Sequence, residues 1–168
     1  AIAVKLGRRG AKGVVNYLHD FDEARNTLRC FRKGFGYLAD VSDKVQAAAM
    51  VQTAIHMYGR VDILVNNAGL LLQNALPKID TSIYQEMYNV NVRGGMNCIN
   101  AVVPHMLEQK YGRIIYIASV RGVLEGEVNR EYARTKKVIL RKTLDYAEML
   151  APHITVNAVS PGMIRAPM

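Results

Sequence analysis

The 168-residue sequence predicts a doubly wound α/β domain built on a parallel sheet, and three observations carry that prediction. Short apolar runs rich in β-branched residues alternate with longer helical stretches. The apolar runs lack a polar alternate face, which suits strands covered on both sides of a sheet. Polar and turn-forming residues gather where these runs end. Strand–helix alternation of this kind implies parallel strands joined by right-handed crossovers.

Each element follows from local signals. Ala1–Leu6 (AIAVKL) reads as a helix in progress, and Gly10 in GRRGAKG (7–13) as the glycine that ends it. GVVNY (13–17) is the first strand and Asp22–Arg32 the helix after it. FGYLAD (35–40) is the second strand. Ser42–Tyr58 is a helix with Ser42 as N-cap and with Val45, Ala48, Ala49, Gln52 and Ile55 at helical spacing. VDILVNN (61–67), RIIYIAS (113–119) and ITVNAVS (154–160) are the remaining strands, and Asn91–Gln109 and Arg134–Leu150 the two longest helices.

Composition narrows the function classes. Half of the residues are hydrophobic and 21% are charged, a globular balance that fits one domain over 1–168. No apolar run reaches the roughly 18 residues of a membrane span, and no secretory leader is visible. A chain that opens inside a helix reads as an internal cut, so the leader carries little weight. Cys30 and Cys98 fit no metal spacing and suit a reducing, cytoplasmic compartment. His19, His56, His105 and His153 are scattered, so no metal site is expected. The net charge of +8 sits partly in RRGAK, RCFRK and KKVILRK. Without interleaved aromatics these clusters read as solvated helix faces, with no nucleic-acid or membrane partner.

One stretch raises a chemical question: SVRGVLEGEVNREYARTK (119–136) holds Tyr132, Lys136 one helical turn on, and Ser119 upstream. Nine Tyr and nine Lys in this length predict roughly half of one such Tyr/Lys match by chance. Position gives the pair its weight. Parallel α/β sheets bind ligands beyond the carboxyl ends of their strands. Asp40, Asn66–Gly69, Ser119 and Pro161–Gly162 lie at those ends.

The motifs NNAG (66–69), NVN (89–91), IASV (117–120), YARTK (132–136) and SPGMI (160–164) occur together and in order. In that set the chain resembles the short-chain dehydrogenase/reductases, close to the 3-oxoacyl-[acyl-carrier-protein] reductases, over essentially its whole length. The resemblance implies a Rossmann-like fold and NAD(P)-dependent hydride transfer between a nicotinamide and a carbonyl or alcohol substrate, including 3-oxoacyl thioesters. It implies Asn91, Ser119, Tyr132 and Lys136 as catalytic residues. A phenol titrates near pKa ~10. The Lys136 charge would draw Tyr132 towards the phenolate, and Ser119 would hold the substrate carbonyl. Asn91 would hold a water beside Lys136.

For the cofactor, the resemblance places Asp40 and the Val41 backbone at the adenine. Asn67, Ala68 and Gly69 come to the adenosine ribose, Lys136 to the nicotinamide ribose, and Pro161, Gly162 and Ile164 to the nicotinamide. Tyr17 and Leu18 occupy the position that senses the adenosine 2′ group. Neither is acidic, so NADP(H) is favoured over NAD(H). The resemblance implies a homodimer or homotetramer of the parent protein through the helices Asn91–Gln109 and Arg134–Leu150, where Lys137, Arg141 and Lys142 would either sit on the rim or weaken the face by repulsion.

The sequence also departs from the family pattern. The glycine-rich T-G-x-x-x-G-x-G loop that cradles a pyrophosphate is missing, and GRRGAKG follows a helix instead of opening one. The family's first strand, central between those of GVVNY and VDILVNN, is absent, as is its last. Ala166 stands where a Thr is usual. An incomplete Rossmann-like domain from a longer parent is therefore expected. The alternative is a non-catalytic fragment or interaction module that binds no cofactor.

Overall fold

The structure, a computed structural model, describes residues 1–73, 81–124 and 129–164. The five apolar runs form five strands: β1 (Gly13–Tyr17), β2 (Gly34–Leu38), β3 (Ile63–Asn66), β4 (Gly112–Ile117) and β5 (Ile154–Val159). The helices are α1 (Ile2–Arg8), α2 (Phe21–Leu28), α3 (Lys44–Tyr58), α4 (Thr81–Tyr88), α5 (Gly95–Glu108) and α6 (Arg130–Leu150). A π-helical turn, Asn89–Gly94, leads into α5, and a 3₁₀ turn, Val120–Gly122, follows β4.

All strand pairings are parallel, as the alternation predicts, and they make two sheets: β1–β2 and β3–β4–β5. Among the described residues no strand lies between β1 and β3. The interruption falls where the family pattern has its first strand. Helices span it: α3 packs on α5. A shared apolar cluster of Ala39, Val41, Ala47, Met50 and Cys98 also has Val14 of β1 and Leu64 of β3 against it. The main core lies under β3–β4–β5 and includes Ile99, Val102, Met106, Ile114, Tyr116, Ile139 and Ile154.

Several boundaries differ from expectation for local reasons. Helix α3 is capped by Asp43, whose Oδ1 accepts from the Val45 and Gln46 amides at 2.7 and 3.1 Å. Ser42 is drawn out of the cap position because its N–H donates to Asp40 Oδ1 at 2.8 Å. The glycine past α3, Gly59, sits at φ +77°, the left-handed conformation that ends helices. Helix α2 stops at Leu28, four residues short of Arg32. There the Cys30–Phe31 turn lies against α1, and a Cβ on Gly7 would be 2.5 Å from the Cys30 carbonyl oxygen. Helix α6 starts four residues earlier than Arg134, and α4 had no counterpart in the sequence reading.

Candidate active site

The C-terminal ends of β3 and β4 and the start of α6 bring the Tyr/Lys pair and the serine together. Ser119 lies just past β4, where its Oγ accepts from the Arg121 amide at 3.2 Å and stabilises the 3₁₀ turn. The serine is buried, and its side chain hydrogen-bonds Tyr132. Gly122 makes this approach feasible. A Cβ there would stand 2.8 Å from the Lys136 carbonyl carbon, so only glycine lets the turn rest on α6.

Tyr132 and Lys136 share one face of α6, with the Lys136 Nζ 5.4 Å from the Tyr132 ring centroid. Lys136 is 4% exposed and donates to the Ile117 carbonyl at 2.8 Å, which ties α6 to the tip of β4. Burial lowers its pKa to about 8. Tyr132 moves the other way: burial raises its hydroxyl above the ordinary phenol value, and the Ser119 hydrogen bond opposes this. The lowering of the phenol anticipated from Lys136 is therefore not what the structure shows. Desolvation is the larger influence, and the lysine charge is directed at a backbone carbonyl.

Asn91 sits in the π-helical turn instead of opening the helix, at 3% exposure. Its Oδ1 accepts from the Leu70 amide at 2.6 Å, and its Nδ2 donates to the Leu70 carbonyl and to Thr135 Oγ1, both at 3.0 Å. The carboxamide thus spends both of its N–H groups inside the protein.

Apart from Lys136, the residues that the resemblance assigns to cofactor binding lie at or just past the carboxyl ends of four strands, β1, β2, β3 and β5. Asn67, Ala68 and Gly69 are exposed after β3, and a Cβ on Gly69 would lie 3.6 Å from Lys136 Nζ. Beyond β5, the Pro161 carbonyl accepts from the Val120 amide at 3.0 Å, which keeps 161–164 beside the Ser119 turn. Gly162 and Ile164 are exposed. At the end of β2, Asp40 gives one carboxylate oxygen to Ser42, and the Val41 carbonyl accepts from Asn97 Nδ2 at 2.9 Å. Tyr17 ends β1 with its ring 5.6 Å from that of Phe21, and Leu18 follows, exposed. These two lie on the β1–β2 sheet, apart from the tyrosine and lysine. Ala166 and residues 125–128 lie outside the described residues.

Sequence reasoning missed several supports. Thr135 lies inside YARTK yet attracted no attention. Asn97 and Gly94 hold the Val41 loop, a Cβ on Gly94 coming within 2.6 Å of Val41 Cγ2. Asn16 ties the ends of β1 and β2 by donating to the Ala39 carbonyl at 2.9 Å. No local pattern advertises such tertiary contacts.

The short chain dehydrogenase family model matches residues 1–168. The chain belongs to the short-chain dehydrogenase family. It is 37% identical over 171 residues to (2S)-[(R)-hydroxy(phenyl)methyl]succinyl-CoA dehydrogenase subunit BbsD of Thauera aromatica, spanning 99% of this chain and 68% of that protein. It is 34% identical over 173 residues to 3-oxoacyl-[acyl-carrier-protein] reductase FabG of Staphylococcus aureus, spanning 100% of this chain and 70% of the relative. A crystal structure of a candidate short-chain alcohol dehydrogenase from Sinorhizobium meliloti 1021 superposes with a TM-score of 0.89 at 28% identity. That match covers 98% of this chain and 67% of the other. The short-chain dehydrogenase assignment makes this chain an oxidoreductase by family.

The nicotinamide end of the cofactor fits the residues present. An ammonium donor, Lys136, stands beside the small, exposed Gly69 backbone, and Pro161 is tied to the Ser119 turn through the Val120 amide. Among the described residues no glycine-rich turn opens a helix for a pyrophosphate. No helix is long and apolar enough to cross a membrane, and no three His, Cys, Asp or Glu side chains gather as a metal site, both among the described residues.

Proposed function

We propose that this protein is an NAD(P)-dependent oxidoreductase that interconverts a carbonyl and an alcohol, with NADP(H) preferred and 3-oxoacyl thioesters as the favoured substrate class. The observation that carries the reading is the convergence of Ser119, Tyr132 and Lys136 at the tip of β4. The bound nicotinamide would supply or accept the hydride. Tyr132, held neutral by its raised pKa, is a proton donor to a carbonyl oxygen in the reducing direction. Ser119 holds that oxygen beside the phenol, and its own position is fixed by the Arg121 amide. Lys136 stands with its Nζ 5.4 Å from the Tyr132 ring centroid, and burial, which lowers its pKa to about 8, makes it able to give up a proton near neutral pH. Asn91 acts by holding the β3 loop against α6.

The substrate class is supported by two relatives whose names carry thioesters, one a coenzyme A ester and one an acyl-carrier-protein ester. NADP(H) is supported by the absence of an acid at Tyr17–Leu18, which removes repulsion of a 2′-phosphate. A homodimer is supported by the face between α5 and α6, where a groove lined by Ile99, Val103, Pro104 and Tyr146 adjoins exposed Met149. Cys30 and Cys98 are both free thiols, which supports a cytoplasmic setting.

The test is turnover of 3-oxoacyl thioesters and small ketones with NADPH and with NADH. Tyr132→Phe should lower kcat by about a hundredfold or more. Wild-type activity in that variant ends the assignment. The second reading, a reductase-like fold without catalysis, draws on the interrupted sheet between β1 and β3. Fluorescence titration separates the two: NADPH binding in the micromolar range excludes the second, and no binding at millimolar nucleotide favours it.

A further inference from the structure

Thr135 enters the reading above only as the α6 partner of Asn91, yet it is fully buried at 0% exposure. Its hydroxyl has one proton, and that proton goes to the Tyr132 carbonyl at 2.8 Å. The oxygen is then left to accept, and it takes an N–H of Asn91 at 3.0 Å. The orientation of the Asn91 carboxamide is fixed independently. The Leu70 N–H is a donor and the Leu70 carbonyl an acceptor, so Oδ1 must face the first and Nδ2 the second. Each polar atom in this chain therefore has one assignment. The chain links three segments distant in sequence: the loop after β3, the π-helical turn and the second turn of α6.

What that linkage controls follows from its neighbours. Thr135 precedes Lys136, and its proton is accepted by the backbone of Tyr132. Leu70 follows Gly69, whose Cβ position lies 3.5 Å from Asn91 Oδ1 and 3.6 Å from Lys136 Nζ. We infer that Thr135 is a positioning residue: through the Asn91 carboxamide, its hydroxyl sets the distance between the Asn67–Gly69 loop and the Tyr132–Lys136 pair. The inference rests on the proposed oxidoreductase reading for its catalytic consequence, but the linkage itself is measurable without turnover.

The experiment compares Thr135→Val, which keeps the shape and deletes the hydroxyl, with Thr135→Ser, which keeps the hydroxyl. Amide hydrogen exchange is followed at Leu70 and, as a control for global stability, at Ile114. In Thr135→Val, Leu70 should exchange about tenfold faster with Ile114 unchanged, and Thr135→Ser should restore wild-type protection. With NADPH and a 3-oxoacyl thioester, kcat in Thr135→Val should fall about tenfold with KM within twofold, its pH profile displaced, and Ser should again restore both. Leu70 protection unchanged in the valine variant overturns the inference, as does exchange that accelerates equally at Leu70 and Ile114. Selective loss at Leu70 in Thr135→Val, together with no turnover by the wild type, upholds the linkage and removes the oxidoreductase reading instead.

Discussion

The two sheets are made of similar apolar strands, yet their packing differs sharply. In β4 every second residue is buried, Ile114 and Tyr116 at 0% and 1% exposure, and β5 places Ile154 and Val156 against them. In β1 all five residues are only half-buried, and β2 leaves Leu38 58% exposed. The difference comes from partners. A parallel strand is buried when it has a strand on each edge and helices on both faces. β4 lies between β3 and β5, whereas among the described residues β1 pairs with β2 alone. Ser119, Tyr132 and Lys136 are all carried by or beside the well-packed half. A site that must hold side chains to fractions of an ångström belongs on the rigid half of the fold.

The largest expected contrast is in core truncation. Ile114→Ala opens a cavity in the centre of the main cluster and should cost about 2–5 kcal/mol in urea denaturation. Val15→Ala, in half-buried β1, should cost roughly 1 kcal/mol or less, because solvent and side chains can collapse on the site. Equal losses would erase the distinction between the halves.

A pH experiment sharpens the same contrast from the buried lysine. Lys136 titrates near pH 8 in the folded protein and near 10.5 when unfolded. Between those values the unfolded chain binds more protons, so stability rises as pH increases through this window. Below pH 8 the native state carries the full penalty of a buried ammonium. The wild type should gain on the order of 2–3 kcal/mol between pH 8 and 10 relative to Lys136→Met, whose curve lacks this rise. The comparison ends at pH 10 because Tyr116 and Tyr132 have raised pKa values that act with the opposite sign above it. Parallel curves for the two proteins would mean that the lysine is solvated.

How much of this was legible in the sequence depends on the range of the interaction. The five strands and their parallel sense follow from apolar runs of the right length, which are local. The grouping of Ser119, Tyr132 and Lys136 was readable because two of them are one helical turn apart and the third ends a strand. The position of Asp43 as cap was not, since it turns on the Asp40 side chain taking the Ser42 amide. The direction of the Tyr132 shift was also beyond the sequence. It depends on how deeply α6 buries the phenol and on where Lys136 sends its proton, to Ile117. Thr135 stayed hidden because its partner Asn91 lies 44 residues away.

The smallest contrast sets two glycines side by side. A methyl group on Gly122 would meet the Lys136 carbonyl carbon and oxygen at 2.8 and 3.0 Å, both backbone atoms of a helix that cannot yield locally. Gly122→Ala should therefore push the Ser119 turn away from α6, costing about 1–3 kcal/mol of stability and lengthening the Ser119–Tyr132 hydrogen bond. Gly13 in β1 is also crowded, but its neighbour is the Phe31 ring, a half-buried side chain that can rotate towards solvent. Gly13→Ala should cost less than Gly122→Ala and leave turnover unchanged. Thermal denaturation ranks the two variants, and kcat for a 3-oxoacyl thioester reads the displacement of Ser119. A reversed ranking would place the stiffer packing around β1, and rigidity would then no longer explain why Ser119, Tyr132 and Lys136 sit at the tip of β4.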